Sequence, residues 1–319
     1  MLLLGFISKF LKKFKHVWQN IFTFAAWIWT QMNLFIYIIA FPLIWLISRL
    51  PFWMLYGVSD FLYFVLYTLL KYRVKVVRKN LRTAFPFKTE TELLDIERKF
   101  YHHFCDTLLE MVKSYGMSEK EMKKRMVFPN LEVLKKYENE ERNILFMCSH
   151  YASYEWLLSL AYFLKHKSYA LYTPLSNPYF DKLLQKIRTK HHSFLLPRYT
   201  AHREMKKHKD AHDVYCYGFA SDQIPNNKKN YLRPFLGLNV PVFTGAERLG
   251  KALNTVIVFA KIEKLKRGYY QTTFEVLAEV PNDYVDFQIT DMFFERITRQ
   301  IYDRPEFYLW THNRFKRMR

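Results

Sequence analysis

From His16 to Ser48 the chain contains no Lys, Arg, Asp or Glu. The apolar run Ile21 to Ile47 inside that window exceeds the roughly 20 residues a helix needs to cross a hydrocarbon layer. It predicts a transmembrane or deeply embedded helix, kinked at Pro42. The run is too long and its flanking charges are wrong for a cleaved signal peptide. Ahead of it, residues 1 to 18 set Leu2, Leu3, Phe6, Phe10, Leu11, Phe14 and Trp18 at helical spacing against Lys9, Lys12, Lys13 and Lys15. That pattern predicts a helix lying in a membrane surface. A second apolar stretch, Leu50 to Leu70, carries only Asp60 and is followed by Lys71, Arg73, Lys75, Arg78, Lys79 and Arg82. If it crossed back, both basic clusters would share one side, as the positive-inside rule prefers. The basic cluster by itself is also compatible with a solvated helix face.

The remainder has the size of one large domain, which places an anchor at 1–49 and a body at 50–319. With 49 Lys and Arg against 29 Asp and Glu, the formal charge is +20. A balance that basic favours anionic partners: nucleic acid, an anionic lipid surface or an acidic protein. The 29 Phe and 23 Tyr and the apolar N-terminus favour lipid, and no zinc-finger spacing or helix-turn-helix signal argues for nucleic acid. Cys105, Cys148 and Cys216 form no pairable framework or metal motif, which points the body to a reducing compartment, the cytoplasm.

Within the body, Leu93, Leu94, Ile96, Phe100, Phe104, Leu108, Leu109 and Val112 recur at helical spacing and predict a long core-lining helix. Short apolar runs at Ile144–Met147, 168–172 and 214–219 predict buried strands. Val256–Lys261 and Tyr269–Val280, joined through Gly268, predict an antiparallel pair at the sheet edge. Thr290 to Tyr302 predicts a closing helix stopped at Pro305. The class is α/β, a mixed central sheet flanked by helices.

The chemistry gathers on the connection after the first of these strands, Ser149-His150-Tyr151-Ala152-Ser153-Tyr154-Glu155. In an open α/β sheet ligands bind outside the strand C-termini, and a connection there can aim an imidazole and a carboxylate at one point. His150 can take a proton from a hydroxyl, and a carboxylate on its other nitrogen fixes the tautomer. The ordinary alternative is a polar loop with Ser149 or Ser153 as a helix N-cap and Glu155 in the first turn. Asp222 and Gln223 follow another strand and open on the same face, though an Asp there also suits a turn. Thr244-Gly245-Ala246-Glu247 reads as a capping box, and a helix N-terminus there would present amide donors to an anion or oxyanion. No Gly-x-Ser-x-Gly elbow is present, and Ser149 is adjacent to His150, the wrong relation for a Ser-His pair. His208 and His212 share a helical spacing without a His-Glu-x-x-His, so no metal site is expected.

The His-x4-Glu stretch resembles the corresponding block of the late lipid A biosynthesis acyltransferases, the lauroyl/myristoyl transferase family. Four further segments resemble that family in the same order. They are Leu50-Pro51-Phe52 with Val77-Arg78-Lys79-Asn80-Leu81-Arg82-Thr83-Ala84-Phe85-Pro86; Tyr172-Thr173-Pro174 with Asn177-Pro178 and Arg188; Ser221-Asp222-Gln223 with Arg233-Pro234-Phe235-Leu236-Gly237 and Thr244-Gly245; and Pro305 through Lys316. The resemblance implies a glycerolipid acyltransferase-like fold and an O-acyltransferase in which His150, oriented by Glu155, is the general base. It implies an acyl-carrier-protein thioester (or acyl-CoA) as donor, with no cofactor, and a lipid A precursor as acceptor. Arg188, and more weakly Arg198, would grip phosphate or donor groups, with Asp222, Gln223, Thr244 and Gly245 lining the site. It places the body on the cytoplasmic face of the inner membrane, and makes the Leu50 to Leu70 stretch a helix of that body lying against the membrane, the reading preferred here over a second span. The chain departs from the family pattern at Tyr151-Ala152-Ser153-Tyr154 and at Thr173, which leaves open a lysophospholipid or aminolipid acceptor. A non-catalytic membrane-surface protein would share the charge and the anchor but not the ordered blocks.

Overall fold

The structure, a computed structural model, describes residues 31–209, 213–225 and 231–316. The amphipathic segment 1 to 18, the start of the apolar run, the loop Asn226–Asn230 and His212 lie outside the described residues. Helix α1 (Gln31–Arg49) and the stretch Phe52–Leu69 are each long and apolar enough to cross a membrane. The second comprises α2 (Phe52–Tyr63) and a π-helical segment, Phe64–Leu69. Both stretches present large apolar side chains outward, among them Phe35, Ile38, Ile39 and Leu43 on α1 and Trp53, Phe61 and Phe64 on the second. Helix α1 continues through Pro42.

The second stretch is tied to the body by polar contacts. A capping box of Thr89 and Glu92 opens α4 (Glu90–Ser114), the predicted core-lining helix. Ser59 donates to Asp106 at 2.8 Å and Tyr56 to Glu110 at 2.9 Å, while Arg267 bridges Asp60 and Asp106. Such contacts favour a helix packed on the body over an independent span. Helix α1 is docked too. Its Asn33 accepts from Asn177, its Tyr37 stacks on Tyr179 at 5.7 Å, and near its other end Lys113 donates to the Ser48 carbonyl at 3.0 Å.

The rest of the chain runs α3 (Val74–Ala84), α4, α5 (Glu119–Arg125), β1 (Met126–Val127), α6 (Glu132–Asn139) and β2 (Ile144–Cys148). A 3₁₀ helix (Tyr154–Tyr162) leads to β3 (Lys167–Tyr172), α7 (Pro178–Thr189), β4 (Phe194–Pro197), α8 (Ala201–Lys209) and β5 (Tyr215–Ala220). After β6 (Leu232–Phe235) and β7 (Leu238–Pro241) come α9 (Gly245–Leu253), β8 (Val256–Lys266), β9 (Tyr269–Ala278) and α10 (Gln288–Asp303). The central sheet has the order β1-β9-β8-β2-β5-β3-β4. Strands β8, β2, β5, β3 and β4 are parallel, and β9 is antiparallel to β8, which gives the mixed α/β sheet expected. The β8–β9 hairpin lies beside the edge rather than at it, because the two-residue β1 covers β9.

Every residue of β2 is buried, as befits a central parallel strand covered on both faces. The β6–β7 hairpin turns on Leu236 and Gly237, at φ 52° and 79°. Two left-handed positions make a tight hairpin turn, and glycine occupies the second at no steric cost.

The turn after α4 brings Gly116 against α1. A Cβ there would stand 2.0 Å from the Ser48 carbonyl oxygen, so only glycine allows this approach. Gly116→Val is expected to cost about 1–3 kcal/mol through overpacking, read as a lowered thermal midpoint in detergent. An unchanged midpoint would show that the end of α1 is not held there.

Candidate active site

The register of two neighbouring strands builds the centre. Cys148 at the end of β2 pairs with Ala220 at the end of β5, and Ser221 N donates to the Cys148 carbonyl at 3.0 Å. Two residues further along each strand stand His150 and Asp222, so the same lateral spacing carries their side chains together. His150 Nδ1 lies 2.7 Å from Asp222 Oδ1, and the His150 backbone N–H donates to the same oxygen at 3.1 Å. Asp222 is 1% exposed, whereas the His150 side chain, at 17%, opens onto a cavity.

With Nδ1–H given to the carboxylate, Nε2 is left as the base, and the Gln223 amide nitrogen lies 3.2 Å from it. Burial alone would lower the imidazole's pKa, but the charge and hydrogen bond of Asp222 outweigh it and hold His150 above the ordinary histidine value. Burial likewise pushes the Asp222 carboxyl up, and the charge and hydrogen bonds of His150 outweigh that and keep it below the usual carboxylate range.

The carboxylate on the imidazole is therefore Asp222 and not the expected Glu155. Glu155 stands in the first turn of the 3₁₀ helix, where both of its oxygens are taken by Arg188 from the last turn of α7, Nε–Oε2 at 2.8 Å and Nη2–Oε1 at 2.5 Å. A bidentate fork is the strong geometry for this pair, and it holds Glu155 on Arg188 while His150 Nδ1 is met by Asp222. Glu155 still acts on the imidazole through its charge, which favours protonation, while Arg188 opposes it. Arg188 thus meets a carboxylate of its own chain, where the resemblance implies phosphate or donor groups. Neither Ser149 nor Ser153 acts as the helix cap considered above: the 3₁₀ helix has Ser153 at its N-cap position without a side-chain cap bond.

The capping box at α9 is absent. Thr244 makes no side-chain cap bond, and Glu247 turns instead to the start of α10. There it accepts from the backbone N–H groups of Phe287 and Thr290 and from the Thr290 hydroxyl. Gly245, Arg248 and Leu249, from the first turns of α9, stand in the wall of the cavity.

That cavity has a volume of about 760 Å³, within the range of small-molecule sites. His150, Glu155, Arg188, Arg198, Gln223 and Gly245 all border it; Asp222 stands behind His150. One face of the sheet forms its floor in rows set by the register, Cys148 beside Ala220 and Phe146 beside Gly218 beside Ala170. Small side chains at Cys148, Ala220, Gly218 and Ala170 leave the room, and Leu157, Leu158 and Leu184 close the other side. Burial pushes the thiols of Cys148 and Cys216 up to about 12, so neither is a nucleophile at neutral pH. His208 is a packing residue, stacked on Tyr215 at 4.3 Å and bonded to the Tyr217 hydroxyl.

The motifs do not single out Arg248, Gly218 or Tyr308. The first two line the cavity, and the burial of Tyr308 beside Asp222 appears only in the fold. Alternation along β5 would have put Gly218 and Ala220 on one face, but not which face carries the cavity.

A sequence model of the family described as "Bacterial lipid A biosynthesis acyltransferase" matches residues 26–317. The chain is 22% identical over 277 residues to the lipid A biosynthesis lauroyltransferase of Escherichia coli K12, covering 86% of this chain and 89% of that protein. It is 24% identical over 278 residues to the lipid A biosynthesis palmitoleoyltransferase of the same organism, covering 86% and 88%. The lipid A biosynthesis acyltransferase of Shigella flexneri matches with the same identity and coverage.

Diethyl pyrocarbonate reacts with neutral imidazole, so the pH at which the His150 peptide is carbethoxylated reports its protonation. Because Asp222 stabilises the imidazolium, Asp222→Asn is expected to move that midpoint to lower pH, by roughly one unit or more. Glu155→Gln, which removes charge without touching Nδ1, is expected to move it less. Equal shifts would contradict the pairing.

Proposed function

We propose, for a chain that belongs to the family of bacterial lipid A biosynthesis acyltransferases, that it moves an acyl group from acyl carrier protein to a hydroxyl of a lipid A precursor. The observation that carries the reading is the His150–Asp222 pair at the mouth of an apolar cavity. In the neutral tautomer, Asp222 accepts from Nδ1–H and Nε2 accepts the proton of the acceptor hydroxyl. The hydroxyl oxygen attacks the thioester carbonyl carbon, and the tetrahedral adduct collapses with cleavage of the C–S bond. The departing thiolate takes the proton from the imidazolium, so no acyl-enzyme is needed. Imidazolium formation is favoured by Asp222 directly and by the charge of Glu155, which Arg188 holds in place.

The oxyanion and the anionic parts of the two substrates find basic groups at the cavity. Arg198 and Arg248 are exposed in its wall, with no ion-pair partner among the described residues. The N-terminus of α9 adds the positive end of a helix dipole. The acyl chain suits the apolar floor, where each buried methylene contributes about 0.8 kcal/mol. The +20 charge complements an acidic carrier protein, and exposed apolar faces on α1 and the α2 stretch suit a body held on the cytoplasmic face of the inner membrane.

Purified protein in detergent, given labelled acyl carrier protein with a lipid A precursor and a lysophospholipid in parallel, tests the reading. Transfer to the precursor is expected, with His150→Ala lowering the rate by about 10²–10⁴-fold. Transfer to the lysolipid alone would overturn the acceptor, and transfer to neither by folded protein would overturn the reaction.

The cavity floor makes a second prediction. A Cβ on Gly218 has room, its nearest neighbours being Tyr169 O at 3.7 Å and Ala170 Cα at 4.0 Å, so bulk added there projects into the cavity. With a mixture of acyl-carrier donors, Gly218→Leu is expected to lower use of the longest accepted chain by roughly tenfold or more relative to shorter ones. Mass spectrometry of the products reads this. An unchanged chain-length profile would place the acyl group elsewhere.

A further inference from the structure

The closing segment of the chain lies directly behind the site. Tyr308 pairs with Tyr151 in an antiparallel bridge, Ala152 N donates to the Phe307 carbonyl at 2.9 Å, and Leu309 N donates to the His150 carbonyl at 3.0 Å. The His150 loop and residues 307–309 are therefore stitched together on both sides of Tyr151, the residue after the imidazole. This brings the buried Tyr308 hydroxyl beside the Asp222 carboxylate and beside the guanidinium of Arg314.

Arg314 occupies an expensive position. It is 1% exposed, donates from Nη1 to the Pro241 carbonyl at 3.3 Å, and lies over the rings of Phe235 and Phe294 at 5.0 and 5.9 Å. Its Nε and Nη2 make no hydrogen bond among the described residues. A buried cation with so few partners is destabilising unless a nearby anion compensates it, and the carboxylate its charge meets is Asp222.

The arrangement is held by distant parts of the sequence. Asn80 Nδ2 donates to the carbonyls of Trp310 and His312 at 2.9 and 2.7 Å, and Arg73 donates to that of Thr311 at 3.0 Å. The block around Asn80 thus anchors the closing block, and the Arg233–Gly237 block supplies the Phe235 ring under Arg314.

We propose that Tyr308 and Arg314 are positioning residues for the His150–Asp222 pair, the hydroxyl fixing the carboxylate from behind and the buried guanidinium partly offsetting its charge. Asp222 is thereby kept ionised and aimed, and its pull on the imidazole is moderated. The other titratable or charged groups that face His150 are Glu155, Arg188, Tyr154 and His312, and all remain when Arg314 or Tyr308 is changed. Loss of the Tyr308 hydroxyl or the Arg314 charge leaves the Asp222 charge less compensated, so His150 keeps its proton to higher pH.

The kinetic arm of the test rests on the acyl-transfer reading, while carbethoxylation of the His150 peptide does not. Full-length wild type, Tyr308→Phe, Arg314→Gln and Arg314→Lys are compared by the pH profile of kcat/KM and by the labelling midpoint. For Tyr308→Phe and Arg314→Gln both the acid limb and the midpoint are expected to rise by roughly half a unit to one unit, with Arg314→Lys restoring wild-type values. Tyr308→Phe removes a single oxygen, so it keeps the test open if the arginine variants fold poorly. A Tyr308→Phe protein whose midpoint stays at the wild-type value would overturn the proposal and leave the segment a packing role. A shifted midpoint in protein that transfers no acyl group would uphold this inference and sink the acyl-transfer reading.

Discussion

The contact between His150 and Asp222 depends on the pairing of β2 with β5. A one-residue slip in a sheet reverses the face of every side chain, so the Cys148–Ala220 register is what puts an imidazole and a carboxylate on the same side two residues later. The same register lays Phe146 beside Gly218, and the β3–β5 register adds Ala170 to that row, which makes the cavity floor. The His150–Asp222 pair and the apolar cavity both follow from strand alignment, which is why the imidazole opens onto that apolar space.

Around that alignment the protein spends buried polar groups sparingly and pairs most of them. Glu155 is neutralised by Arg188, Glu247 serves the start of α10, and Asp106 is met by Ser59, Lys264 and Arg267. The last of these clusters ties the second apolar stretch to α4 and to the β8–β9 hairpin. The second apolar stretch and the sheet are thus one packed unit, and the cavity is held at a fixed place relative to its exposed apolar face. Arg314 stands apart from this economy, because its partners are few and the carboxylate whose charge acts on it is Asp222.

Much of the fold was legible from periodicity. The apolar runs at Ile144, Ser168 and Val214 became β2, β3 and β5, and the helical spacing from Leu93 became α4. Local signals were less reliable where a side chain had a choice of partners. Thr244 to Glu247 has the spacing of a capping box, yet Glu247 is buried against α10 and finds two backbone N–H groups and a hydroxyl there. A capping residue is drawn to whichever exposed helix end the fold brings near, and the sequence window shows only its own.

The sequence by itself determined the apolar N-terminal helices, the alternation of strands and helices, the family, and the presence of His150, Glu155, Arg188 and Asp222 at the ends of elements. These follow from composition, spacing and short motifs, which are properties of neighbouring residues. Only the tertiary structure decided that Asp222 meets the imidazole while Glu155 meets Arg188, and that Tyr308 and Arg314 close the site from behind. The reason is that strand order is non-local. Glu155 is near His150 along the chain but is carried off by the 3₁₀ helix toward α7, whereas Asp222, 72 positions away, returns because β5 hydrogen-bonds to β2.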